Sequence, residues 1–448
     1  MRQRVLALAL VTFVPGAPAR GETIVLRAWT IGPEDAAITR ATNLEKAAET
    51  LSAELATEGS STRVRVEASF ATDAWDAYRR RVLLGFESGK VADIVQSAHV
   101  DIAPWSEAGY LVPLDEHLSA FPQFADVRPS LWAAVTYRGR IWGVPQDTEA
   151  RPLYFNRKLL AACGWTAAEI ESLPRRIRAG EFTWDDLLRT ARDAVAKGVV
   201  REGHGWWHRP LNGADFFHTY YAFGGELSDA ESGRLVLSRE AARATFGLFE
   251  RAVRDGVTKR DLVGTALREW HRTVTADRVL FASAGTWTWA EWATEYVDDR
   301  GGFDHLAKTW GFALHPAAAA GGRPTTLSQP QAYMIWKGSP HADLAVRLLA
   351  HATTPELDAR HALGSAHLAI LTPTAKRPDY SADAFASAAT LLLDFTTYQP
   401  LHPRFGQFSE TFFRGVASVE SGQFTAEEAT EIVAEELERR LGDDVIVR

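Results

Sequence analysis

Strand-like and helix-like stretches alternate through the first hundred residues, and this order constrains the fold more than any other feature of the chain. Residues 23–29 and 63–70 alternate in side-chain character with the period of two that a strand requires. Residues 36–55 and 75–87 instead carry apolar side chains at helical spacing, 91–96 reads as a short apolar strand, and 102–109 as a helix. A β-α-β-α order predicts a mainly parallel sheet covered by helices. Ligands of such sheets lie beyond the carboxyl ends of the strands. Binding groups are therefore expected at 29–33 and 96–101, where Trp29, Gln96, His99 and Asp101 are the candidates. A second α/β run starts near Gly143. In it, Thr183 followed three positions later by Asp186 forms a capping-box variant that opens a helix. Helices are expected at 216–223 and 239–255 and a strand at 331–336. The end of the chain is expected to be helical, at 341–353, 355–363, 381–393, 410–418 and 425–441. At 448 residues the chain exceeds what one hydrophobic core supports, so at least two lobes are expected.

The first residues read differently. Arg2 and Arg4 precede an apolar run over 5–14, and Ala17-Pro18-Ala19 supplies a small-residue cleavage pattern. This is the layout of a secretory signal peptide, assigned to residues 1–21. The apolar run is too short to span a bilayer, which needs about 20 helical residues. The one cysteine, Cys163, excludes an intramolecular disulfide and reads as a packed thiol at a helix end before Gly164. No cysteine follows the signal to accept a lipid, so the expectation is an unanchored monomer in a periplasm. A net charge of −8 without a basic stripe argues against nucleic acid as a partner. Neither a metal nor another cofactor is expected. His204 and His208 are four apart, but Gly205 and Pro210 interrupt any helix there. His361 and His367 are six apart and share no helical face.

Four motifs in chain order resemble the extracellular solute-binding proteins of carbohydrate ABC transporters, the group that includes maltose-binding protein. They are 89–96 with 108–115 (GKVADIVQ and AGYLVPLD), 137–145 continuing to 153–158 (YRGRIWGVP and LYFNRK), 285–289 (GTWTW), and 408–414 with 422–425. The resemblance covers nearly the whole chain after residue 21. It implies a periplasmic-binding-protein-like α/β fold, two discontinuous lobes joined by a hinge with the ligand cleft between them. On that basis, lobe one takes 22–144 and 313–353, and lobe two takes 145–312 and 354–448. The resemblance also implies a membrane permease as partner and a stacking aromatic at Trp287. It further implies a ligand-binding acid at Glu149 and an aromatic pair at Phe412 and Phe413.

Fifteen tryptophans are the loudest compositional signal. A sugar presents flat C–H faces and a hydroxyl rim, so its site needs aromatic plates and planar polar groups. Trp206 and Trp207, in a loop with His204, His208 and Arg209, join Trp29 and Trp287 as candidate plates, although any tryptophan can equally serve a core. Asp147 and Glu149 can each accept two hydroxyl bonds, or can neutralise Arg151 locally. Arg151 and Arg404 would suit an anionic ligand or internal pairing. The expected function is capture of a sugar, polyol or sugar derivative by hinge closure, without chemistry. The alternatives are an exported glycoside hydrolase, since carboxylate pairs and aromatic plates serve those enzymes too, and a sugar-sensing binding protein linked to a receptor.

Overall fold

The computed structural model describes residues 22–72 and 74–448; the predicted signal peptide lies outside them. The first sheet has the order Arg63–Ala71, Thr23–Ile31, Ile94–Ala98, Gln331–Ile335, Val144–Asp147. Its first three strands are parallel, as the β-α-β-α order predicted, and Gln331–Ile335 runs antiparallel to both of its neighbours. Strand side chains alternate between faces, and the core divides accordingly. Leu26, Ala28, Ile94 and Ile335 pack with Leu44 and Leu51 of helix Glu34–Thr57. Ile31, Val95 and Met334 pack with Tyr78 and Val82 of helix Trp75–Ser88 on the other side.

The second sheet has the order Trp310–Ala313, Leu153–Asn156, Phe281–Ser283, Trp206–Trp207 and lies in a larger, aromatic core. Local signals behave as their chemistry requires. The Thr183 hydroxyl accepts from the Asp186 amide while the Asp186 carboxylate accepts from the Thr183 amide at 2.8 Å, opening helix Trp184–Ala196. Cys163 is buried at the end of helix Arg157–Ala162, whose first turn is capped by Asn156. The helix expected over 381–393 breaks at Asp383, which caps a new helix, Ala384–Thr390. Among the described residues, no helix is long and apolar enough to cross a membrane.

Sheet pairing puts the first two lobe junctions later than the sequence suggested, and helix packing does the same for the third. Val144–Asp147 completes the first sheet instead of opening the second lobe, and Trp310–Ala313 still belongs to the second sheet. Helix Pro355–Ser365 packs on the first lobe, where Leu357 joins its core and accepts a bond from the Asn43 amide side chain at 2.8 Å. The chain thus passes between the sheets at 148–152 and 314–330, and again between Leu371, packed with Val127 and Leu131, and Phe385, stacked on Trp289 at 4.7 Å. These passages are laced together. The Thr326 hydroxyl accepts from the Arg151 amide and donates to its carbonyl, each at 2.9 Å, and Thr148 forms a β-bridge with Leu368.

Candidate functional site

The passage at 147–151 carries charge into the space between the lobes. Asp147, at the end of its strand, is fully buried and lies against Arg40 of helix Glu34–Thr57. Arg40 donates from Nη2 to Asp147 Oδ2 at 2.5 Å, from Nε to Gln146 Oε1 at 2.7 Å, and from Nη1 to the Ile31 carbonyl. His361 Nε2 donates to the same carboxylate at 2.8 Å, and the Thr39 hydroxyl donates to His361 Nδ1 at 2.7 Å. Burial alone would raise the Asp147 carboxyl, but Arg40 and the two histidines His367 and His361 hold it well below the carboxylate range. Burial lowers both histidines, His367 to about 3. Ligating atoms of Asp147, His361 and His367 lie within 4.8 Å of one another. The sequence spacing gave no sign of this, because the chain reverses at Ala366, which has φ 52°. A cation there would meet the Arg40 guanidinium, so the group reads as a clasp on the crossing strand.

Two residues on, Glu149 accepts from Arg151 Nη2 at 2.7 Å, and Arg151 Nη1 donates to Asp215 Oδ1 at 2.7 Å. All three are buried. Burial pushes the Glu149 carboxyl up to about 7, because Arg151 divides its countercharge with Asp215 and the Asp147 charge is near. Asp215 is held low by Arg151 and then Arg209, against its burial. Arg151 also covers Trp287, with its guanidinium 4.9 Å from the ring centroid; Arg209 lies over the same ring at 5.2 Å, and His367 stacks on it at 6.1 Å. The Gly-Thr-Trp sequence makes this placement possible. A Cβ on Gly285 would fall 1.7 Å from the indole, and the Gly285 carbonyl accepts the Thr288 hydroxyl at 2.7 Å to turn the chain into its helix. The arrangement combines an aromatic ring flanked by Arg151, Arg209 and His367, a carboxyl raised by burial, and cations already paired.

Of the residues expected from sequence, Asp147, Glu149, Arg151 and Trp287 come together here. The others do not. Trp206 and Trp207 form a buried strand of the second sheet instead of a loop, and their indole N–H groups are spent on Ser283 Oγ at 3.0 Å and the Gly203 carbonyl at 2.6 Å. Phe412 is core, packed against Phe217, Tyr220 and Phe246. Arg404 ties the start of helix Phe405–Glu420 to Asp444 and the Arg440 carbonyl. Trp29 lies under Arg81, 4.1 Å away, beside Gly85 of helix Trp75–Ser88. Gln96 joins strands, accepting from the Ile31 amide at 2.8 Å and donating to Gln331 at 3.0 Å. His99 bonds the Gln399 carbonyl at 3.0 Å, and Asp101 is held by Arg79 and Ser97. The sequence reading missed Arg40, Asp215, Arg209, His361 and His367 as members of the site. The sequence sets Arg209 only beside Trp206 and Trp207, and His361 and His367 only as a pair on no common helical face.

Comparison with known proteins identifies the family and the fold. The model of the family "Bacterial extracellular solute-binding protein" matches residues 42–359. A curated relative, an uncharacterized lipoprotein in the oleD 5′ region of Streptomyces antibioticus, is 25% identical over 390 residues, 84% of this chain and 76% of its own. The GacH receptor of Streptomyces glaucescens, solved unliganded and with acarbose, superimposes with a TM-score of 0.74 at 16% identity, over 94% of this chain and 99% of its own. Maltose-bound MalE3 of T. maritima gives 0.73 at 21% identity, over 93% and 99%. The order of the motifs, the two sheets and the family match agree: this chain belongs to the bacterial extracellular solute-binding proteins.

Proposed function

We propose that the protein captures a neutral sugar, polyol or glycoside outside the cytoplasm and delivers it to the permease of an ABC importer. The observation that carries this reading is the juxtaposition of Glu149, Arg151 and Trp287 between the lobes. A carboxylate accepts two hydroxyl bonds, and an indole face takes the C–H face of a sugar ring. Arg151 is already bonded to two carboxylates, which favours an uncharged ligand over an acid or a phosphate. The acarbose and maltose bound by its structural neighbours support the same class. Ligand would drive closure by contacting the closed form better than the open one, a hinge motion of the kind periplasmic binding proteins show. Asp147 serves in this reading as the anchor of the crossing strand to the first lobe.

Export by the leader at 1–21 and release into a periplasm, without a lipid, complete the proposal. One curated relative is called a lipoprotein, so the mass of the mature protein is the direct check on the anchor. The function is tested by a thermal-shift screen of sugars, polyols and their phosphates, because ligand that binds the native state raises its stability. A neutral sugar or polyol that stabilises the protein and binds at one per chain, unchanged afterwards, is the expected result. Turnover of a glycoside, or stabilisation by phosphates and acids alone, would overturn it.

A further inference from the structure

The helix that begins after Trp287 brings a second polar residue to the same wall. Glu291 is four positions on and therefore on the same helical face; its amide bonds back to the Trp287 carbonyl at 3.3 Å. The helix then widens into a π-turn over Trp292–Tyr296, a distortion that concentrates at functional sites. Helix Leu267–Thr275 lies alongside. The two enclose a cavity of about 500 Å³ whose walls include Arg268, His271, Arg272, Glu291, Glu295 and Tyr296.

His271 is 1% exposed, yet only one of its ring nitrogens is satisfied. Nδ1 accepts from Trp292 Nε1 at 2.9 Å, which leaves the proton of the neutral ring on Nε2. That donor has no hydrogen-bond partner among the described residues. Glu291 Oε1 lies 3.3 Å away without completing a hydrogen bond. No Lys or Arg lies within 4.0 Å of the Glu291 carboxylate among the described residues. Tyr296 stacks on the His271 ring at 5.1 Å and holds it in place. A buried donor and a half-buried acceptor thus stand side by side with their complements missing. A hydroxyl supplies both at once, accepting from His271 and donating to Glu291. Arg268 and Arg272 offset Glu291 and Glu295 around the cavity, so nothing in it demands a net charge.

We infer that this cavity is a second, hydroxyl-reading pocket of the ligand cleft, so that the ligand carries at least two sugar rings, one against Trp287 and the next over His271 and Glu291. Arg209 joins the two places, since it covers Trp287 and also acts electrostatically on both Glu291 and His271. The inference rests on the sugar-capture reading above and is tested so that the two can fail separately.

The experiment is calorimetric titration of wild type, His271→Ala, Glu291→Ala, Glu291→Gln and Trp287→Ala. The probes are glucose, galactose, mannose, glucosamine and the α- and β-linked disaccharides of the three neutral sugars, with melting curves to establish folding. The expected result is a disaccharide bound at least tenfold tighter than its monosaccharide. His271→Ala and Glu291→Ala should each remove at least fivefold from the disaccharide and leave the monosaccharide within twofold. Glu291→Gln, which keeps an acceptor and the shape, should lose less, and Trp287→Ala should weaken both ligands. Equal affinity for mono- and disaccharide, or a disaccharide indifferent to both alanine variants, overturns the pocket while leaving sugar capture standing. Preference for glucosamine over glucose, abolished by Glu291→Gln, would make the pocket an ammonium site and overturn the hydroxyl reading. Absence of binding by wild type to every probe would remove the sugar-capture reading and the pocket with it.

Discussion

Glu149 gives a prediction that needs no ligand. Its carboxyl is buried between Arg151 and the charges of Asp147 and Asp215, and burial raises it from 4.5 to about 7. The sign follows from which state holds the proton. Between pH 4.5 and 7 the unfolded chain has released it and the native state has not, so native stability falls as pH rises through this window. Below 4.5 both states are protonated, and above 7 neither is. One pKa unit corresponds to about 1.36 kcal/mol, so the full window removes about 3 kcal/mol. Glu149→Gln keeps the shape and has no proton to lose. Its stability relative to wild type should therefore climb by about 3 kcal/mol between pH 4.5 and pH 8, with most of the change complete by pH 7. Equilibrium urea unfolding of both proteins at four pH values across that range reads the difference directly. A difference that is flat with pH would refute the reasoning. So would one that falls, because it would mean that Arg151 holds Glu149 ionised and that its pairing with Asp215 does not weaken that hold.

Three further outcomes follow from the same geometry. If hydroxyl donors of the ligand favour ionised Glu149, binding releases a proton, and affinity should rise about tenfold from pH 6 to pH 8; proton release on binding, measured in buffers of different ionisation enthalpy, checks it. Trp287→Ala should weaken ligand binding by tenfold or more, about 1.4 kcal/mol or above, with the far-ultraviolet spectrum unchanged; unaltered affinity would remove Trp287 from the site. Arg40→Ala leaves Asp147 buried without its cation, with only the His361 hydrogen bond, and should cost about 3–5 kcal/mol. A double-mutant cycle with Asp147→Ala should recover at least about 2 kcal/mol of that, and strict additivity would show that Arg40 acts through Ile31 and Gln146 alone.

What could be read from the sequence was set by how locally each feature is encoded. The alternating elements of the first hundred residues and the Thr183–Asp186 capping box depend on neighbours within a few positions, and they appear as expected. Lobe membership does not. Val144–Asp147 and Pro355–Ser365 go to the first lobe because of the strands and helices they meet across the fold, and no local period announces that. The aromatic candidates divided for a related reason. An indole serves a core as well as a cleft, and Trp206, Trp207 and Phe412 carry no local mark that says which. Trp287 does carry one, the glycine two positions before it, whose missing Cβ leaves room for the ring. The acidic passage was legible because 147–151 holds its chemistry in one run of chain. Its partners were not, since Arg40, Asp215 and His361 reach it from 107, 64 and 214 positions away. The same distance effect decides what Glu149 is. From sequence, the chemistry of 147–151 alone does not separate Glu149 from Asp147 beside Arg151, and only the family resemblance favours Glu149. In the fold, Asp147 is claimed by Arg40 and His361, while Glu149 shares its one cation with Asp215. The acid left with the weaker claim on a countercharge is the one a ligand's hydroxyls can stabilise most, and under the proposed function that makes Glu149 the binding acid and Asp147 the anchor.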